Sequence, residues 1–241
     1  MALVILFAWS FAAATVLPLS SEVPLAVVIP VRNRAGPRLR NALHSLRWQT
    51  AGPPAQVIVV SCGSSPEVNH ELAAICAGSG AELLVVGEPS QPWNKPFALN
   101  CGIRATQPSA AGIMTMDADM ILAPNFLGVV VARLERQTPA LVLCRSSDLP
   151  ASAAIPDQPE QLLAAFTTLR ATSSLRGPSG TGGIQAARRE FFFEIRGYDE
   201  DLAWWGAMDG DVVNRARLMQ LSLIHISEPT RRTPISYAVF C

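Results

Sequence analysis

The chain has 241 residues, 49% hydrophobic and 16% charged, with 19 basic and 19 acidic side chains and a formal net charge of zero. That length suits one domain of mixed class with short extensions. The even charge balance excludes the broad cationic surface that nucleic acid demands, so no nucleic-acid partner is expected.

Residues 1–22 form an apolar N-terminal segment whose first nineteen residues carry no charged side chain. The segment reads as a short membrane anchor, a signal-type apolar region, a buried element or the product of a misplaced start. Pro18 cuts the span short, and no basic stretch precedes it. Cys62, Cys76, Cys101 and Cys144 show no CxxC spacing, which argues against zinc and for buried thiols in a reducing compartment. The expected location is cytoplasmic, with residues 1–22 able to hold the protein at the inner face of the membrane.

From residue 23 strand and helix patterns alternate. Leu25–Val31 is a continuous apolar run, as in a strand buried on both faces. Residues 37–50 place Leu39, Ala42, Leu43 and Leu46 on one helical face. Residues 56–60 read as a strand, 67–77 as a helix, Glu82–Val86 as a strand, 96–105 as a helix, Gly112–Met116 as a strand and 125–136 as a helix. This order predicts an α/β fold, with right-handed βαβ units building a Rossmann-like, mostly parallel sheet flanked by helices. Beyond Cys144 the pattern loosens. Residues 147–158 and 176–183 read as loops, and 160–171, 188–195 and 209–219 as helices.

Residues 221–241, LSLIHISEPTRRTPISYAVFC, resemble the translation of a transposase-type sequencing adapter and its primer. Such a segment would be a non-native tail without a docking surface. It would leave residues 23–220 as the domain, truncated at its C-terminus.

In a sheet of this kind ligands bind outside the carboxyl ends of the strands. Arg32-Asn33-Arg34, Ser61-Cys62-Gly63 and Asp117-Ala118-Asp119 each follow a strand. Two carboxylates one residue apart offer hard oxygen ligands to Mg²⁺ or Mn²⁺, with a diphosphate completing the shell. Their plainer reading is a capping turn. Arg32 and Arg34 would face a phosphate or a base. Eighteen of the nineteen basic residues are Arg, so the single Lys, Lys95, is conspicuous between Asn94 and Pro96. Its ammonium is a compact point charge suited to a phosphate. Further on, Trp204 and Trp205 offer flat indole faces to an acceptor sugar. Asp209 follows them, and partial burial would raise its pKa towards that of a general base. The plainer reading of Asp209 and Asp211 is favourable charge at a helix start.

Taken in order, VVIPVRNR, LHSLRWQT, MDADMILAPNFL and GGIQAARREFFFEIRGYDEDLAWWGAMDGDVVNRA resemble the family 2 glycosyltransferases of GT-A fold over residues 23–220. The last segment is similar to the C-terminal part of galactosyl- and N-acetylgalactosaminyltransferase domains. The resemblance implies that Asp117 and Asp119 hold metal and diphosphate, that Pro30, Arg32 and Arg34 line the nucleotide, that Gly183 lies near the donor sugar, and that Asp209 is the catalytic base. The chain departs from the pattern in three places. Ser61-Cys62 replaces an acid that grips uracil, Met208 replaces a Glu before the base, and no third metal ligand follows.

The expected function is therefore metal-dependent, inverting transfer of a sugar from a nucleotide-diphosphate sugar, with UDP as the expected nucleotide, to a glycan or lipid-linked acceptor. One alternative is a sugar-nucleotide pyrophosphorylase, for which residues 31–36 are too poor in glycine. The other is a donor-binding domain without turnover.

Overall fold

The computed structural model describes residues 24–177, 183–203 and 207–232. The N-terminal segment and the Trp204-Trp205 pair lie outside them. Strand β1 (Leu25–Val31) is buried at every position, as its apolar run predicts. β2 (Gln56–Cys62) pairs with it in parallel, β3 (Glu82–Val86) adds in parallel to β2, and β4 (Gly112–Met116) pairs in parallel with the other side of β1.

Helices α1 (Pro37–Arg47), α2 (Pro66–Ser79) and α3 (Lys95–Ala105) follow the first three strands. Leu39, Leu43 and Leu46 of α1 and Leu72 and Cys76 of α2 pack on one face of the sheet. Ala98, Leu99 and Ile103 of α3 pack on the other, against Val28, Ile58 and Val60. α3 comes very close. A Cβ on Gly102 would lie 2.3 Å from Val28 Cγ1 and 2.8 Å from Val60 Cγ2.

The strand order β3-β2-β1-β4 puts a topological switch point between β1 and β4. Pairing of β1 with β4 ends at Val28↔Thr115, whereas pairing with β2 runs on to Val31↔Ser61. The two central strands thus separate at their carboxyl ends and open a crevice. Pro30 lies in that stretch. It has no N–H to give, and beyond the last β4 pair none is missed on that side.

The second half is mixed. β5 (Met120–Ile121), α4 (Phe126–Leu134) and β6 (Ala140–Leu149) come first. α5 (Pro159–Thr172), β7 (Ser174–Leu175), β8 (Ile184–Arg188), α6 (Arg189–Glu194), α7 (Ala207–Leu218) and β9 (Ser222–Arg232) follow. β8 lies between β4 and β6 and runs antiparallel to both. The sheet continues β8-β6-β9-β5, with β7 on β6.

Two expectations change here. Residues 147–149 belong to strand rather than loop, because Ser147 and Asp148 pair with β7 on one side while Ser147, Asp148 and Leu149 pair with β9 on the other. The stretch expected to lack a docking surface forms β9, parallel to β6 and antiparallel to β5. β6 would otherwise present an open edge, and LSLIHIS suits it. Leu223 joins the core on the α7 side, while Ile224 and Ile226 join the opposite core.

α1 stops at Arg47, short of residue 50, and the next side chains hold the segment that joins β5 to α4. Trp48 Nε1 donates to Leu122 O at 3.1 Å. The Gln49 amide donates to Ala123 O at 2.8 Å and accepts from Leu127 N at 2.9 Å. Among the described residues no helix is long and apolar enough to cross a membrane.

Candidate active site

The loops after β1 and β2 lock onto each other at the sheet's carboxyl edge. Asn33, at φ 49°, accepts from Ser65 N through Oδ1 at 3.0 Å, and its own N–H donates to Ser64 Oγ at 2.9 Å. Ser61 Oγ meets Ser64 Oγ at 2.8 Å and donates to Asn69 Oδ1 at 2.6 Å. A neutral hydroxyl and amide network therefore stands where an acid was absent from the sequence. Arg32 reaches Pro89 O with Nη2 at 2.9 Å, and Arg34 is exposed beside it.

The Asp117–Asp119 turn follows β4. Asp117 Oδ1 accepts from Lys95 Nζ at 2.6 Å, and Asp117 N donates to Gly183 O at 2.9 Å. A Cβ on Gly183 would fall 2.0 Å from Met120 Cε and 3.7 Å from Asp117 Oδ2, so a larger residue there would have to displace the Met120 side chain beside this turn. Asp119 is 6% exposed and faces a different neighbourhood. It lines a cavity of about 30 Å³ with Arg38, Asn41 and Asp157, where the buried Asn41 Oδ1 has no hydrogen-bond partner among the described residues.

Among the described residues no three His, Cys, Asp or Glu side chains converge to hold a metal. The turn offers two carboxylates. Both are hard oxygen ligands of the kind Mg²⁺ or Mn²⁺ prefers, but Asp117 lies beside Lys95 and Gly183 and Asp119 beside Arg38, Asn41 and Asp157, so a cation here would depend on further oxygens from its ligand or water.

Asp209 lies in the first turn of α7, where a negative charge suits the helix dipole. Its carbonyl accepts from Gln185 Nε2 at 3.1 Å. Gln185 Oε1 accepts from Tyr198 Oη at 2.9 Å, and Tyr198 Oη meets Thr115 Oγ1 at 2.9 Å. All three side chains are buried, on β8, on the turn after α6 and on β4. Burial first, then the negative charges of Asp209 and Asp117, push the Tyr198 hydroxyl far above the ordinary phenol range, partly offset by its bond to Thr115. It stays protonated and donates to Gln185.

Asn100 holds the same turn. It donates to Tyr198 O and accepts from Tyr198 N, each at 2.8 Å. Gly197, at φ 77°, leaves room for it, since a Cβ there would lie 2.2 Å from Asn100 Oδ1.

The structure thus brings Lys95, Asp117 and Gly183 together. It links Asp209 to Tyr198 through Gln185, and places Pro30, Arg32 and Arg34 at the carboxyl end of β1 and just after it. Trp204 and Trp205 fall outside the described residues. Met208 is buried in the α3-side core. Asp211 pairs with Arg215 at 2.5 Å, four residues on, in a separate cleft of about 380 Å³ between α3 and α7. Sequence reading missed Thr115, Gln185 and Tyr198, although Tyr198 stands inside the quoted Gly-Tyr-Asp-Glu turn.

The sequence model described as glycosyl transferase family 2 matches residues 26–196, and that described as the N-terminal domain of galactosyltransferase matches residues 165–238. A curated Caenorhabditis elegans protein, "Probable N-acetylgalactosaminyltransferase 9", is 44% identical over 45 residues, 19% of this chain and 8% of that protein. Two solved structures share the fold. The mannosyltransferase PcManGT from Pyrobaculum calidifontis, in complex with GDP-Man and Mn²⁺, has a TM-score of 0.63 at 18% identity over 89% of this chain and 58% of its own. GalNAc-T7 with UDP, GalNAc and Mn²⁺ has a TM-score of 0.64 at 18% identity over 88% of this chain and 44% of its own. The chain therefore spans less than two thirds of each of these relatives.

Proposed function

The chain belongs to glycosyl transferase family 2, and on that premise we propose that it moves a sugar from a nucleoside-diphosphate sugar, with UDP as the nucleotide, to a hydroxyl of a glycan or lipid-linked acceptor. One observation carries this reading. The Lys95–Asp117 ion pair, beside Gly183, and the carboxylate of Asp209 bear on the same buried tyrosine, which bonds to β4, one of the two strands that flank the switch point. The GDP-Man and Mn²⁺ of one solved relative and the UDP and Mn²⁺ of the other support transfer from a nucleotide sugar.

In this reading Pro30, Arg32 and Arg34 line the nucleotide, and Lys95 faces the diphosphate. Asp117 and Asp119 hold Mn²⁺ or Mg²⁺, which when bound neutralises charge on the leaving diphosphate. Asp209 takes the proton of the acceptor hydroxyl as its oxygen attacks the anomeric carbon. The bond from that carbon to the diphosphate oxygen breaks, its electron pair leaves with the diphosphate, and configuration inverts. Trp204 and Trp205 stack the acceptor sugar. Residues 1–22 associate the protein with the cytoplasmic face of a membrane.

Thermal melting with UDP- and GDP-linked sugars, with and without Mn²⁺, tests the reading. A nucleotide at a hundred times its dissociation constant should add about 2.7 kcal/mol, and chelating the metal should remove most of that gain. A melting temperature unmoved by every nucleotide, with Mn²⁺ present, sinks it. Met208, where related motifs carry Glu, favours a second reading of donor binding without turnover. Release of labelled sugar from the nucleotide decides between the two.

A further inference from the structure

Lys95 stands where helix energetics alone would not put it. It is the first residue of α3, at the positive end of the helix dipole, where a cation is disfavoured. It is also the one Lys in a chain with eighteen Arg. Its position is nonetheless firmly set. Asn94 caps α3 by accepting from Phe97 N at 2.9 Å and donates to Glu200 O at 2.9 Å, so the loop is tied at both sides. The ammonium then lies 2.6 Å from Asp117 Oδ1, with the two side chains 23% and 17% exposed. What this pair achieves is neutralisation of Asp117.

We propose that Lys95 is a resident counter-ion of Asp117 that makes divalent cation and nucleotide load together. This rests on the donor-site reading above. Without ligand, the ammonium occupies a carboxylate oxygen that a divalent cation would use, and its charge repels that cation. An arriving diphosphate draws the ammonium onto its own oxygens and releases Asp117. Lys suits such an exchange, because a point charge on a flexible stem changes partner easily. The planar fork of Arg would hold the carboxylate in a bidentate pair. The coupling is reciprocal, so nucleotide tightens cation binding by the factor by which cation tightens nucleotide.

The test is titration of the full chain with Mn²⁺, following the paramagnetic resonance signal of the free ion, with and without UDP. GDP replaces UDP if it gives the larger thermal shift. Wild type should bind Mn²⁺ weakly alone and more tightly with nucleotide. Lys95→Met should bind Mn²⁺ alone about tenfold more tightly, and its nucleotide effect should shrink by a similar factor. Lys95→Arg should keep the weak binding. In an Asp117→Asn background Lys95→Met should change Mn²⁺ affinity by less than about twofold, since the paired carboxylate is gone. Lys95→Gln, which removes only the charge, serves if Lys95→Met does not fold. Equal Mn²⁺ affinity for wild type and Lys95→Met, with nucleotide still tightening both, overturns the counter-ion and leaves the donor site standing. No Mn²⁺ binding by any variant, even with nucleotide, overturns both.

Discussion

Asp117 and Asp209 both bear on Tyr198 and are held by different physics. Asp117 sits in a partly exposed ion pair at the mouth of the crevice, beside loops that carry Arg32 and Arg34. Asp209 is held through its backbone by a neutral, buried chain from Thr115 through Tyr198 to Gln185. Charge pairs in partial contact with water exchange partners cheaply. Buried neutral networks do not, because each broken bond leaves a desolvated group unpaired. The side proposed for the donor can therefore rearrange around a ligand, and the side proposed for the base keeps its geometry.

The largest effect that would sharpen this contrast comes from Asp209→Asn. An amide cannot take the acceptor's proton, so turnover should fall by about 10²–10⁴-fold. Donor affinity and urea stability should hardly change, because Asn still suits a helix start. Near-full turnover in this variant would show that another group is the base.

Next is Gln185→Leu. It removes one of the two partners of the buried Tyr198 hydroxyl and the donor to the Asp209 carbonyl, and should cost about 1–3 kcal/mol in urea unfolding. Arg32→Ala, on the donor side, should stay within about 0.5 kcal/mol while weakening nucleotide binding. If the two variants lost equal stability, the contrast would fail.

Tyr198 also gives a pH signature. Its folded pKa lies far above the ordinary phenol value of about 10, so above that pH the unfolded chain loses a proton that the folded chain keeps. Stability should be fully present below pH 10 and fall as pH rises beyond it, by up to about 1.4 kcal/mol per unit. Tyr198→Phe should be less stable at neutral pH but show a flatter slope there. Equal slopes in alkaline urea titrations would argue that the tyrosine is wet.

The smallest effect belongs to Asp211→Asn. Its partner Arg215 is four residues away on a partly exposed helix face, and such pairs contribute about 0.3–0.5 kcal/mol. Turnover should be nearly unchanged, in contrast to Asp209.

Legibility in the sequence followed the same division. The parallel half announced itself because β1 and β4 are buried on both faces and, Thr115 apart, are apolar throughout. The mixed half did not. β6 ends in Arg145, Ser146, Ser147 and Asp148, whose polar side chains look like loop until β7 and β9 flank them. β9 lies in a stretch whose composition suggested no place in the fold. Charged site residues stood out against apolar neighbours, as Lys95, Asp117 and Asp209 did. Thr115, Gln185 and Tyr198 carried no such signal. A neutral polar side chain does not declare its partner, and Thr115 and Tyr198 are 83 positions apart.

Gly102 makes α3 a ruler. Helix and sheet touch there without an intervening side chain, and Lys95 stands about 10 Å further along the same rigid rod. The spacing between ammonium and carboxylate is thus set in the hydrophobic interior, by a methyl group that is missing. Ala at 102 would have to lift the rod or tilt it, and either motion shows at its tip. The reach of the site's one Lys is written into a core position that no ligand touches.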